Sequence, residues 1–373
     1  MMRLSTALFA AIAFLLPPPT NAQLDHLAKQ AGLLYFGAAT DTPYQRERAP
    51  YPQSYPKYDA ILNDPAEFGQ TTPTNGQKWL FTEPQPRLFN FSEGDYVADL
   101  AARTNKLLRC HALVWHSQLA PWVEATNWTA EALAGAITRH IRAVAGYYKG
   151  RCYAWDVVNE ALDDDGSYRQ SVFYKVLGEE YIKLAFRAAA EVDPHAKLYY
   201  NDYGIERPGS NKTAGVMRLV RMLKRAGVRV DGVGMQAHLH ADNHPSAEEL
   251  IETSKGYAEL VSEVAFTELD VRIKMPVDDT KLRWQKEGYQ NVVTACVTVK
   301  QCVGITLWDF YDPFSWIPDV FPGHGAGLLW FEDFTKHPAY DGMVQTFKYL
   351  IKKKGDKPCK RRAKEVGKLC WMS

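Results

Sequence analysis

Eight apolar, strand-like runs recur along the chain, at 35–41, 68–73, 107–115, 152–160, 197–204, 230–239, 264–272 and 302–312. Their starts lie 33 to 45 residues apart. This cadence constrains the fold more than any other feature. Helix-like stretches fill most of the intervals, among them 131–148 and 181–192, the second stopped by Asp193-Pro194. Eight strand-then-helix units in one continuous chain of 373 residues predict an α/β fold, a single-domain (β/α)8 TIM barrel. A doubly wound open sheet ranks second, because no glycine-rich dinucleotide turn follows the first run. Gly323, Gly325 and Gly327 stand outside any strand-to-helix context and read as loop. No low-complexity linker or internal repeat divides the chain.

The two ends differ from this body. Residues 1–22 carry one Arg, an apolar run and then prolines before Ala22, which reads as a secretory signal peptide too short to span a membrane. The barrel is expected over 23–350. Residues 351–373 form a basic tail in which 352–373 carry a net +7, although the whole chain is only +1, so residues 23–351 are acidic at −7. An acidic body argues against nucleic acid as the partner. No later run is long enough for a membrane span. Six cysteines in a secreted chain predict disulfides. Cys296 and Cys302 are close, Cys359 and Cys370 bracket the tail, and Cys110 and Cys152 remain as the third pair. Sequons at Asn90, Asn127 and Asn211 are candidate glycosylation sites. The Pro/Tyr-rich stretch 42–58 follows the first strand and is expected on the face where barrel active sites lie.

Two strands end in acids that their apolar context does not explain. CYAWDVVNE closes on Asn159-Glu160, and VAFTELDVR carries Glu268 and Asp270. A carboxylate closing an apolar strand is costly unless paired or functional. Either alone reads as a structural ion pair. Together, on the fourth and seventh strands of one barrel rim, they predict two carboxylates facing across a central pit, which suits glycosidic bond cleavage. His238, His240 and His244 raise a zinc site as an alternative, since His at i and i+2 share a strand face. No metal or other cofactor is expected, because hydrolysis by two carboxylates needs none.

WDVVNE and TELD resemble the two signature segments of glycoside hydrolase family 10, the retaining β-1,4-xylanases. Supporting segments run in order: NGQKW with TEP, CHALVWHSQLAPW, YNDYG, GMQAHL, CVGITLWDFYDPFSW and GLLWFEDFTKHPAY. The resemblance covers about residues 23–345. It implies endo-hydrolysis of xylan with Glu160 as general acid/base, its pKa raised, and Glu268 as ionised nucleophile, about 5–5.5 Å apart. It implies that His238 and Asp270 orient the nucleophile, and that Asn159 holds the 2-hydroxyl of the sugar being cleaved. Asn75, Lys78, His111, Gln118 and Gln236 are implied as polar contacts to sugars. Trp115, Trp308 and Trp316 are implied as walls and platform, and Tyr203 as a stacking ring on the leaving-group side. Trp79, Trp155 and Trp284 are read as core, and His116, His195, His324 and His337 as structural or surface residues.

Three positions depart from the family pattern. Thr74 stands where many relatives carry Glu, Asp309 follows Trp308 where Gly is usual, and Gly204 follows Tyr203 where Asn is common. They bear on subsite preference rather than hydrolysis. Two other functions are consistent with these residues: a tomatinase-like glycosidase releasing an oligosaccharide from a saponin, and, more remotely, a non-catalytic glycan-binding barrel. The resemblance implies a secreted monomer acting on xylan or xylo-oligosaccharides.

Overall fold

The structure, a computed structural model, describes residues 23–42 and 55–365, with side chains through residue 355. The signal-like segment, residues 43–54 of the Pro/Tyr-rich stretch and the expected Cys359–Cys370 bridge lie outside the described residues. Among the described residues ten strands are formed: β1 Tyr35–Thr40, β2 Gln70–Pro73, β3 Leu107–Trp115, β4 Ala154–Asn159, β5 Lys197–Asp202, β6 Gly232–Met235, β7 His238–His240, β8 Glu263–Lys274, β9 Cys302–Leu307 and β10 His324–Gly325. β1 to β6, β8 and β9 pair in parallel in that order, and β9 returns to β1, so the sheet closes into an eight-stranded barrel. Strands such as β1 and β4 are buried at every residue. That continuous burial is what a parallel sheet covered by helices on its outer face demands.

The structure trims four of the eight expected runs at the ends nearest the site. The run 152–160 is a strand only to Asn159, and 302–312 only to Leu307. The run 230–239 breaks into β6 and β7. The cause is local: Glu160, Ala237 and Asp309 have φ of 54°, 60° and 63°. Side-chain-bearing residues seldom adopt that left-handed conformation, and here it turns the chain out of the barrel at the rim. The glycine patch contains β10, which pairs antiparallel with the upper end of β8.

Helices follow their sequence signals closely. Ala130–Tyr147 is capped by the Thr129 hydroxyl, which accepts from the Ala132 amide. Glu180–Val192 ends at Asp193, before Pro194. Ser246 and Glu249 form a reciprocal capping box on Ala247–Ala258. The last helix, Pro338–Glu365, continues without a break into the basic tail. Among the described residues no helix is long and apolar enough to cross a membrane.

The core lies mainly between sheet and helices, with a smaller cluster of Ala154, Tyr199 and Ala265 inside the barrel floor. A Cβ on Gly232 would lie 2.4 Å from the Tyr199 ring, and one on Gly304 2.5 Å from the Tyr35 ring. Glycine at these two strand positions makes room for the rings that plug the floor. Cys110–Cys152 joins β3 to a position two residues before β4, and Cys296–Cys302 joins a helix to the start of β9, with Cα separations of 5.7 and 5.0 Å. Both pairings match the expectation. Asn90, Asn127 and Asn211 are all exposed. Trp79 and Trp155 are buried, but Trp284 is 41 % exposed on its helix and is not core.

Candidate active site

A cavity of about 1130 Å³ opens at the C-terminal ends of the barrel strands. Glu160, at the end of β4, and Glu268, within β8, both line it. One polar cluster holds the two carboxylates together. Gln236 Nε2 donates to Glu160 Oε1 at 2.9 Å and to Asn159 Oδ1 at 3.3 Å. Asn201 Nδ2 donates to Asn159 Oδ1 at 2.9 Å and to Glu268 Oε1 at 2.7 Å. Asn159 Nδ2 itself reaches Glu160 Oε1 at 3.3 Å. Asn159 thus sits between the acids and accepts from both amides.

The Glu268 side chain has a second set of partners. His238 Nε2 lies 3.2 Å from Oε2, and His238 Nδ1 lies 2.8 Å from Asp270 Oδ2. The β7–β8 register pairs His238 with Asp270, so the two strands set this contact directly. Burial opposes protonation of His238, yet the charge and hydrogen bond of Asp270, aided by Glu268, raise its pKa to about 10. A ring charged at neutral pH donates from both nitrogens, which the two contacts require. Burial also opposes ionisation of Glu268, but the His238 hydrogen bond and the nearby imidazoles outweigh it and hold the carboxyl below its ordinary range. His238 and Asp270 are therefore engaged as a carboxylate–imidazole–carboxylate chain. His240 faces Arg272, and His244 Nδ1 lies 3.2 Å from the Pro245 carbonyl. Among the described residues no three His, Cys, Asp or Glu side chains group as metal ligands.

The cavity wall on the β2–β3 side is polar and aromatic. Lys78 Nζ donates to Gln118 Oε1 at 2.5 Å and to Asn75 Oδ1 at 3.3 Å, and lies 4.6 Å from the centre of the Trp115 ring. Burial lowers its pKa to about 8, although Glu268, Asp41 and Glu160 favour the cation. His111 faces the cavity from β3, with Nδ1 2.9 Å from Asp156 Oδ2. Asp156 is in turn bonded by Arg109, a cation stacked 4.2 Å from the Tyr199 ring. Trp308 and Trp316 line the β8–β9 side, and Trp316 Nε1 donates to Asp270 at 2.8 Å. Tyr203 stands beyond β5, its hydroxyl accepting from Arg169 at 3.0 Å and its ring 3.2 Å from Lys212 Nζ.

Every site residue expected from the sequence lines this cavity except Asp270, which is buried behind His238. The sequence reading missed four contributors. Asn201 bonds the Glu268 carboxylate directly. His116, read as structural, has Nδ1 3.9 Å from Glu160 Oε2. Asp156 fixes the His111 ring. Asp41, buried beyond β1, accepts from the Thr74 hydroxyl and from Asn75 Nδ2 at 2.6 Å. That donation turns the Asn75 oxygen toward Lys78 and Gln118, so Asp41 orients the whole wall. The rule that flagged Glu160 and Glu268, an acid closing an apolar strand, also picks out Asp41 in YFGAATD. Asn201 and Asp156 lie inside the segments already singled out.

The model of the family described as glycosyl hydrolase family 10 matches residues 23–346. Endo-1,4-beta-xylanase A of Humicola insolens is 62 % identical over 341 residues, covering 91 % of this chain and 90 % of that protein. Endo-1,4-beta-xylanase D of Talaromyces funiculosus is 46 % identical, covering 87 % of this chain and 77 % of its own. Among solved structures, a xylanase from Bispora sp. MEY-1 with xylobiose superposes with a TM-score of 0.83 at 38 % identity, covering 87 % of this chain and 99 % of its own.

Proposed function

The chain belongs to glycosyl hydrolase family 10, and from that premise we propose that it is a secreted endo-1,4-β-xylanase acting by retaining double displacement. The observation that carries this reading is the pair of carboxylates joined through Asn159, Asn201 and Gln236 in one cavity, with only Glu268 backed by a cationic histidine. The two groups differ in environment, which is what two different roles require.

Glu268 is the nucleophile. One of its oxygens attacks the anomeric carbon while Glu160 gives its proton to the departing glycosidic oxygen. A covalent glycosyl ester forms on Glu268, and the shortened chain leaves. Water then attacks the same carbon as Glu160 takes its proton, and the ester bond breaks to restore Glu268. His238 stabilises the ionised nucleophile before attack and again after release. Asn159, between the acids, is placed to hold a hydroxyl of the reacting sugar. The wall of Asn75, Lys78, Gln118 and Trp115 serves the sugars before the cleaved bond, and Tyr203 those after it.

The test is mass spectrometry and NMR of products from linear xylan, beside Glu268→Ala. Short xylo-oligosaccharides with initially β anomeric ends, absent with the variant, are expected. An inert wild-type protein, initial α ends, or full activity in the variant overturns the reading.

A further inference from the structure

Among the described residues two arginines are buried, Arg109 and Arg272, and of these Arg109 alone is paired with a carboxylate. Arg109 is 1 % exposed and bonds Asp156, which holds its charge firmly in place. Arg272 is 9 % exposed and lines the catalytic cavity from β8. Among the described residues it forms no ion pair with a carboxylate. Burial lowers its pKa, with only longer-range help from Asp270 and Asp242. Asp270 Oδ2 is already engaged by His238 and Trp316. Charged side chains are almost never buried without a partner, because desolvation of an unpaired ion is expensive. Arg272 is therefore an exception that asks for a ligand.

Its surroundings say what kind. Arg272 Nη2 donates to His240 Nε2, so His240 is the neutral acceptor here and carries no competing charge. Burial and Arg272 itself both lower the His240 pKa, which agrees. The Phe321 ring lies 3.8 Å from the guanidinium carbon. Nε is buried without a partner, and among the described residues no hydrogen bond is made by Nη1 of this cavity-lining side chain. Arg272 lies four residues beyond Glu268, about 13 Å further up the strand at ordinary rise, and on the same face. That distance places it beside the sugar chain rather than at the bond being cleaved.

We propose that Arg272, with Phe321 over its guanidinium and His240 behind it, is a subsite for a carboxylate carried as a branch on the substrate, a uronic acid linked to the xylan chain. The planar fork of arginine matches a carboxylate, and Phe321 with Trp316, whose ring centres are 5.4 Å apart, offers apolar surface to the branching ring. The inference rests on the xylanase reading and names a decoration that the same cleft selects.

The experiment compares kcat/KM on three substrates: linear xylohexaose, a xylo-oligosaccharide bearing one glucuronic acid branch, and that oligosaccharide with its carboxyl reduced to an alcohol. Arg272→Leu is expected to leave the linear and carboxyl-reduced substrates within two-fold and to lower the acidic one by ~10- to 100-fold, the range of a charge-assisted hydrogen bond. Arg272→Lys keeps the charge without the fork. It is expected to lose part of that preference at an unchanged melting temperature, and it decides the matter if the leucine variant fails to fold. Equal losses on all three substrates, or an unchanged ratio of acidic to reduced substrate in both variants, overturn the proposal. A wild type inert on xylohexaose overturns the xylanase reading instead.

Discussion

Lys78 is a cation that the folded protein holds against its own stability, and replacing it separates stability from substrate binding. The side chain is 5 % exposed, and burial lowers its pKa from 10.5 to about 8. A difference of that size makes the charged form about 3 kcal/mol less favourable in the folded chain than in the unfolded one. Lys78→Met keeps the stem and removes the charge. It also removes two hydrogen bonds, to Asn75 and Gln118, whose oxygens lie on the cavity wall where water can replace the ammonium. Their loss costs about 1 kcal/mol. The variant is therefore expected to be about 2 kcal/mol more stable at pH 7. Between pH 8 and 10.5 the folded wild type binds fewer protons than the unfolded chain, so wild-type stability rises with pH there and the advantage of the variant shrinks. Urea unfolding at pH 7 and pH 10, with both disulfides intact, measures this directly. A variant that is less stable at pH 7, or whose advantage is the same at both pH values, refutes the reasoning. KM for xylo-oligosaccharides should rise in the same variant, since Lys78 lines the cavity wall.

Asp41→Asn should free the Asn75 amide and lower kcat/KM on an aryl xylobioside by about ten-fold, with an aryl xyloside unaffected; equal losses on both would mean a role at the bond itself. His238→Asn removes the cation that holds Glu268 low, so the acidic limb of the kcat/KM profile should move to higher pH, and an unmoved limb counts against the coupling. The two bridges close segments of different length, with sequence separations of 42 and 6. Loss of Cys110–Cys152 should cost about 4 kcal/mol and loss of Cys296–Cys302 about 2, by denaturant melts of the paired serine variants; equal costs would refute the chain-entropy account.

What the sequence disclosed, and what it hid, follow from the range over which each signal acts. The strand–helix cadence and the caps are local patterns, so the barrel and most helix limits were legible. Strand ends at the site were not, because alternation of apolar residues cannot report the left-handed turns at Glu160, Ala237 and Asp309 that steer the chain off the barrel. Glu160 and Glu268 were legible because each contradicts its apolar neighbours. Their supports were less so, because an asparagine such as Asn201 costs little in a strand and gains its meaning only from Glu268, 67 residues away. The same holds for Asp41, whose partners lie 33 to 35 residues further on.

Charge shows this most clearly along β8. Glu268, Asp270 and Arg272 alternate on one strand face, and β7 sets His238 against the first two and His240 against the third. Written as residues, TELDVR offers two acids and a base that could neutralise one another. In the folded chain the imidazole at 238 takes both carboxylates, and Trp316 adds a further bond to Asp270. Arg272 is thereby left to a neutral histidine and an aromatic face. The strand that carries Glu268, held as an anion, is the same strand that leaves a cation without a carboxylate further up the cleft. A chain whose cleft met only neutral sugars would gain stability from a neutral side chain at 272, since an unpaired buried charge is a cost with no return in binding. Retention of that cost at the wall of the active site is the physical reason to look for an anion on the substrate.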